Sequence, residues 1–317
     1  MNNFAPVLII TLNRYEHFIR CIESLSVCTY SDKTDLFIAL DFPLKDSHWD
    51  GYKKINGYLD KITGFKTINI IKRSENFGVI KNFEDATKEI FQKFDRYIVS
   101  EDDNIFSPNF LDYINKGLYL YNDRKDVFAI NGYNYPVKMP SNYKKNVYLW
   151  KGQSGWGYGI WRDRLPDLDY SVEKNVKIVQ AFLSEFRNVR KVEKFAGHYF
   201  PSLLKMVIFN RMIGDALINM TLIKNNMVCV FPAISKVRNF GHDGSGIHGG
   251  SLPENNIFSL QEIDTSNEFD FDEEIELENR DIYKTLKNHF RRTGKKEIKT
   301  LFMYMKFLIK YKWFNRE

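Results

Sequence analysis

Three acids stand side by side in the stretch "RYIVSEDDNIFSPNF", at Glu101, Asp102 and Asp103. They follow an apolar run and precede a helix start at Ser107-Pro108. Like charges this close repel, and desolvation at a strand end sharpens the repulsion. A hard divalent cation, magnesium or manganese, is one compensation, because such ions take carboxylate, water and phosphate oxygens and often only one or two protein carboxylates. An exposed acidic turn capping the next helix is the other. More polar residues fall where elements change. Asn13 and Arg14 end the first apolar run, and Asp41 ends the second. Asp41 either caps its own turn or accepts a hydrogen bond from a base or ribose. Lys81 sits early in the helix after "NFG", either solvated or near phosphates at the helix N-terminus. Asp215 opens an amphipathic segment, where an acid favours the helix dipole and where an acceptor hydroxyl could also lose its proton. Trp156 and Trp161 lie among glycines in "GWGYGIW", as core residues or as the wall of a sugar pocket. "FGHDGSGIHGG" places His242, Ser245 and His248 in a glycine-rich loop, either merely mobile or able to close over a phosphate.

The elements that must position these groups are readable in the first third. "PVLIITL" (6–12), "DLFIAL" (35–40), "TINIIKR" (67–73) and "RYIVS" (96–100) read as strands, the first as a continuous apolar run typical of a parallel sheet. Between them lie helical segments at 13–28, 47–63 and 78–94. Phe18, Ile22 and Leu25 share one face of the first. Ile80, Phe83, Ala86, Ile90 and Phe91 are the expected buried face of the third. This order predicts a doubly wound α/β half. Ligands of open α/β sheets bind beyond the carboxyl ends of the strands, and Asn13, Asp41 and the acidic triplet all fall there. Residues 127–133 and 227–235 are further expected strands, and 214–226 a helix. The acidic stretch 264–281 is expected to be exposed.

The chain has 317 residues and a net charge of +6, enough for a sizeable core and permissive of anionic ligands without calling for nucleic acid. Cys21, Cys28 and Cys229 show no Cys-x-x-Cys spacing and read as packing residues in a reducing compartment. No run has the length of a membrane span, and the N-terminus reads as neither signal nor anchor. The expectation is a cytoplasmic protein, peripheral on the inner face of the membrane at most. From Lys287 to Arg316 there are ten Lys/Arg and a single acid, Glu297. Leu301, Phe302, Met305, Leu308, Ile309 and Trp313 recur there at helical spacing. Such a helix either packs on the domain or lies on an anionic membrane surface.

In this order the pieces "PVLIITLNRYEHFIRCIESL", "NFGVIKNFEDATKEIF", "IVSEDDNIFSPNFLDYI", "GWGYGIWRDRL" and "VCVFPAISKVRNFGHDGSGIHGG" resemble the glycosyltransferases of the GT-A fold. They are closest to N-acetylglucosaminyltransferase I and related bacterial family-2-like sugar transferases, and cover most of residues 5–250. The resemblance implies an α/β, Rossmann-like nucleotide-sugar fold with a mostly parallel sheet and a C-terminal helical tail. Its parts would be a nucleotide-sugar half (1–130), an acceptor and catalytic half (131–262), and an acidic segment with a basic amphipathic helix (263–317). It further implies a metal-dependent, inverting hexosyl- or N-acetylhexosaminyl-transferase using a UDP-sugar, with Mn2+ or Mg2+ at a DXD-type motif. The acceptor would be a glycan or lipid-linked glycan, in bacterial polysaccharide or lipopolysaccharide synthesis. Asp103 matches the metal ligand, Asp102 a contact to ribose or donor sugar, Asp41 the base contact and Asp215 the catalytic base. The tryptophan that commonly neighbours that base is absent: the chain reads Ile213-Gly214-Asp215. Asn13, Arg14, Lys81, Glu101, Trp156, Ser245 and His248 complete the expected nucleotide-sugar contacts. Two other classes stay open. A sugar-nucleotide pyrophosphorylase is disfavoured by "TLNRYEH" where a Gly-rich basic loop belongs. A non-catalytic carbohydrate-binding protein on a degenerate transferase fold is disfavoured by the intact acids.

Overall fold

The strands form because their alternate residues find apolar cover on both sides. In β1 (Val7–Thr11), Val7 and Ile9 face one core and Leu8 the other. In β2 (Asp35–Leu40), Leu36, Ile38 and Leu40 oppose Phe37 and Ala39 in the same way. Both faces are dry, which is why these strands read as unbroken apolar runs. The computed structural model describes residues 4–165, 171–246, 252–253, 255–272 and 279–314, without the side chains of 312–314.

The chain runs β1, α1 (Tyr15–Ser26), β2, α2 (Trp49–Tyr58), β3 (Thr67–Lys72), α3 (Gly78–Ile90) and β4 (Arg96–Glu101). It continues through β5 (Asn104–Phe106), α4 (Phe110–Leu120), β6 (Val127–Asn131), β7 (Val147–Trp150) and β8 (Tyr158–Trp161). Four helices follow: α5 (Val172–Ser184), α6 (Phe186–Phe195), α7 (Phe200–Phe209) and α8 (Gly214–Lys224). Then come β9 (Val228–Pro232), β10 (Val237–Asn239), α9 (Arg280–His289) and α10 (Lys295–Phe314). One eight-stranded sheet has the order β3-β2-β1-β4-β8-β6-β9-β7. From β3 to β4 every neighbour is parallel; β8 runs antiparallel to both β4 and β6, β9 is parallel to β6, and β7 antiparallel to β9. The α/β class and the Rossmann-like first half are those expected, and a helical tail follows. The sheet continues unbroken from β4 into the strands of the second half.

Helix α3 departs from its expected pattern. Ile80 is exposed, and Asn82 is fully buried instead. The amide of Asn82 donates to the Ala39 carbonyl (3.1 Å), and its oxygen accepts from Arg73 Nε (2.8 Å), so polar partners turn the helix away from its apolar phase. The stretch 264–272 is not merely a solvated acidic run either. Phe269 and Phe271 pack on Tyr113, and Asp264 pairs with Lys236 at 2.7 Å. The three cysteines are buried and unbridged, as packing residues should be.

A carboxylate edge closed by an arginine and a glycine loop

Strands β1 and β4 are neighbours, so their carboxyl ends lie side by side. Asp102 and Asp103 follow β4 and are 3% and 5% exposed. Arg14 leaves β1 and reaches across to both. Its Nη1 donates to Asp103 Oδ2 at 2.7 Å, and its Nη2 to Asp102 Oδ1. The other two oxygens are also engaged. Asp102 Oδ2 accepts from Thr11 Oγ1 (2.7 Å), and Asp103 Oδ1 from Asn239 Nδ2 (2.8 Å). One guanidinium thus bridges two acids, the strong form of charge-assisted hydrogen bonding.

The electrostatics record the crowding. Burial raises the Asp102 carboxyl and Asp103 adds to the rise, while Arg14 and the Thr11 hydroxyl oppose it. Burial works against the charge of Arg14, but Asp102 and Asp103 outweigh it and hold the guanidinium more firmly protonated than usual. Glu101 is the acid that faces solvent. Surrounding protein on its other sides, then Asp103 and Asp215, still raise its carboxyl well above the ordinary glutamate range. That influence places Asp215, exposed in the first turn of α8, within electrostatic reach of the β4 edge.

The glycine loop folds onto the same acids. β10 pairs with β5, immediately after the triplet, and the Phe240 N–H donates to the Asp103 carbonyl (2.9 Å). A Cβ on Gly241 would lie 2.1 Å from Asp103 Oδ2, so only glycine fits against that carboxylate. Further along, Asp243 Oδ2 meets His17 Nε2 of α1 at 2.8 Å. Arg20 can only donate, and its Nη2 lies 3.2 Å from His17 Nδ1; Nε2 therefore carries the hydrogen given to Asp243. Arg20 also lies over the Phe240 ring, 5.1 Å from its centre.

The expected site residues are placed unequally. Arg14, Glu101, Asp102 and Asp103 converge, with Asp215 in range. Trp156 joins at the margin, edge-on to His242 (5.6 Å between ring centres), and the adjacent Gly155 lies beside Glu101. Asn13 lies where the carbonyl end of β1 presses on α2; a Cβ on Gly51 would be 1.8 Å from its carbonyl oxygen. Asp41 is engaged elsewhere. Its carboxylate accepts from the backbone N–H groups of Phe42, Phe77 and Gly78 and from Asn76, which makes it the anchor of the α3 start. Lys81 stands at the surface over the Phe77 ring (3.7 Å). Ser245 turns back on Asp243, donating at 2.6 Å. Trp161 is core, its indole N–H donating to the Leu118 carbonyl. His248 lies outside the described residues. Thr11, Asn239, Gly241 and the His17–Asp243 pair were not singled out from sequence. Asn239 and Gly241 do sit two apart just before the His/Gly run, a spacing that could have marked them.

Among the described residues no three carboxylate, imidazole or thiol groups gather as a ready-made metal cage. The carboxylate oxygens of Asp102 and Asp103 are nonetheless the right donors for a hard ion held jointly with a diphosphate, as magnesium usually is. The fit carries one condition: Arg14, which already offsets one of the pair's two charges, has to give up Asp103.

No protein-family model and no curated protein matches the chain. Several solved structures are similar in fold. A mannosyltransferase from Pyrobaculum calidifontis, in complex with GDP-Man and Mn2+, is 10% identical over 71% of this chain and 75% of that one, with a TM-score of 0.37. GalNAc-T7 with UDP, GalNAc and Mn2+ is 10% identical over 75% of this chain and 44% of that one, at 0.43. The match to S. aureus TarS takes in 44% of this chain and only 22% of that chain, with 14% identity and a TM-score of 0.30. Likeness this distant identifies neither a substrate nor a reaction.

Proposed function

We propose that the chain is a glycosyltransferase that moves a hexosyl or N-acetylhexosaminyl group from a UDP-sugar to a hydroxyl of a glycan acceptor, with inversion, in bacterial surface polysaccharide or lipopolysaccharide synthesis. One observation carries the reading. A buried acid pair at the carboxyl edge of a parallel sheet holds a cation, Arg14, beneath a glycine loop and within electrostatic reach of a second-half acid, Asp215. In the proposed step the acceptor oxygen attacks the anomeric carbon. The bond to the diphosphate oxygen breaks and its electron pair leaves with the diphosphate, while the hydroxyl proton passes to Asp215. Arg14, released from Asp103, is placed to stabilise charge on the departing phosphates. A divalent ion held by Asp103 and the diphosphate would supply Lewis-acid charge to the same leaving group. Glu101, exposed beside Gly155, would accept a hydrogen bond from a sugar hydroxyl in this reading.

The test is product formation from a panel of UDP-sugars with manganese and candidate glycan acceptors. Release of UDP coupled to a new, inverted glycoside is the expected result. Pyrophosphate would mark a pyrophosphorylase. Binding of donor without either product would mark a carbohydrate-binding protein.

A further inference from the structure

Helix α10 has two apolar faces, and only one is used by the fold. Thr300, Tyr304 and Phe307 are buried, and the helix packs on α7 and α5. Tyr304 meets the Phe200 ring at 5.5 Å and its hydroxyl lies 3.5 Å from the Leu183 carbonyl. Ile298, Leu301, Phe302, Met305 and Ile309, by contrast, are 51–72% exposed. At about 100° per residue they fill an arc of roughly 100° on the side turned away from Tyr304 and Phe307. Lys295, Lys299, Lys306 and Lys310, all exposed, form a stripe along one border of that arc. The alternatives posed by the sequence, core helix or surface-binding helix, are therefore not exclusive.

We propose that the outer face of α10 docks on an anionic membrane surface. A contiguous cluster of five bulky apolar side chains is unusual on a monomer surface and marks an interaction site. The lysine border decides the partner, since cationic side chains beside an apolar face match acidic lipid headgroups over an acyl boundary. Glu297 is the lone acid of α10. A second copy of the chain is a poorer occupant: an antiparallel two-fold pairing presents the same patch on both sides and would bring the lysine stripes together. Among the described residues no single helix is long and apolar enough to cross a membrane; the proposed contact is of the outer face of α10 with the membrane surface. The proposal is independent of the chemistry at the carboxylate edge.

Co-sedimentation of the full chain with phosphatidylcholine vesicles, with and without phosphatidylglycerol, tests it. Binding is expected only to the anionic vesicles and should weaken with added salt. Each lysine near such a surface contributes about a fivefold factor in partitioning. The triple variant Lys295→Gln, Lys299→Gln, Lys306→Gln should therefore bind about a hundredfold less. The variant Phe302→Ser, Met305→Ser, Ile309→Ser should also lose binding while keeping its unfolding midpoint, because more than half of each of these residues is exposed. Equal binding to both vesicle types, or to neither, overturns the proposal. So does a dimer that the apolar variant abolishes without any vesicle binding, and so does unfolding of that variant.

Discussion

Arg14 and Lys236 are both cations held on carboxylates, and they are held in opposite ways. Lys236 is 1% exposed and has one carboxylate, Asp264 at 2.7 Å, between the rings of Tyr113 and Phe269 at 5.0 and 4.9 Å. Burial lowers its pKa and Asp264 resists that; Asp112 adds to the pull but has its own partner in Lys116, so each charge is matched. Arg14 instead faces two carboxylates, with Glu101 nearby, so negative charge is left over. A matched pair has nothing to gain from a further ion. An overloaded pair does. The first ties the acidic segment to the domain, and the second keeps an excess of negative charge beside its arginine.

The largest expected effect lies at the open end of the overloaded region. Asp215→Asn should lower turnover by about a hundred- to ten-thousand-fold and leave donor affinity and melting temperature near those of the parent; UDP release at saturating donor, with a thermal melt, reads both. If donor affinity falls and turnover per bound donor does not, Asp215 is no base. Next comes the direct contrast. Lys236→Ala breaks a buried pair and should cost about 3 kcal/mol in chemical denaturation. Asp103→Ala removes one of two repelling acids and should cost clearly less, yet abolish metal-dependent transfer. Equal stability losses would dissolve the distinction between the two pairs. Arg14→Ala should tighten manganese binding, read as the loss of the free-ion signal in electron paramagnetic resonance. Unchanged affinity would mean that Arg14 and the ion do not compete.

The smallest effect is a pH slope. The folded chain holds the Glu101 carboxyl above its ordinary value of 4.5, at about 8. The folded state therefore binds the extra proton, and stability is highest below that ordinary value and declines as pH rises toward 8. Asp102 acts in the same direction. Glu101→Gln should flatten the decline in melting temperature between pH 5 and 8. A slope as steep as the parent's would assign the effect to Asp102 alone.

The strands that carry the acids were legible because buried parallel strands are unbroken apolar runs; Asp35–Leu40 matches end to end. The helices α5, α6 and α7 were not assigned, although Val189, Val192 and Phe195 of α6 recur at helical spacing; α7 is apolar nearly all round, so no single face of it stands out. Among the site residues, the acidic triplet is a local signal and was visible. Asp41 shows the limit. An acid that ends a strand looks the same whether it meets a ligand or a helix start, and the N–H groups of Phe77 and Gly78 that Asp41 holds lie thirty-six and thirty-seven residues on. The grip of Arg14 likewise depends on β1 and β4 becoming neighbours, a fact of topology that no spacing within the sequence records.

The last partner of Asp103 also comes late in the making of the chain. Arg14 and Thr11 leave the ribosome before the acids they hold, whereas Asn239 lies 136 residues beyond Asp103. At bacterial-to-eukaryotic elongation rates that interval lasts roughly 7 to 27 s. During it the nascent acids have their early cation but neither β10 nor the Gly241 backbone against them. Closure of the acid pair by Asn239 and Gly241 thus waits on a late part of the chain. Ribosome-arrested chains ending just before and well after Asn239 should differ in protease resistance at Glu101–Phe106; identical resistance would show that the edge is complete without its closing strand.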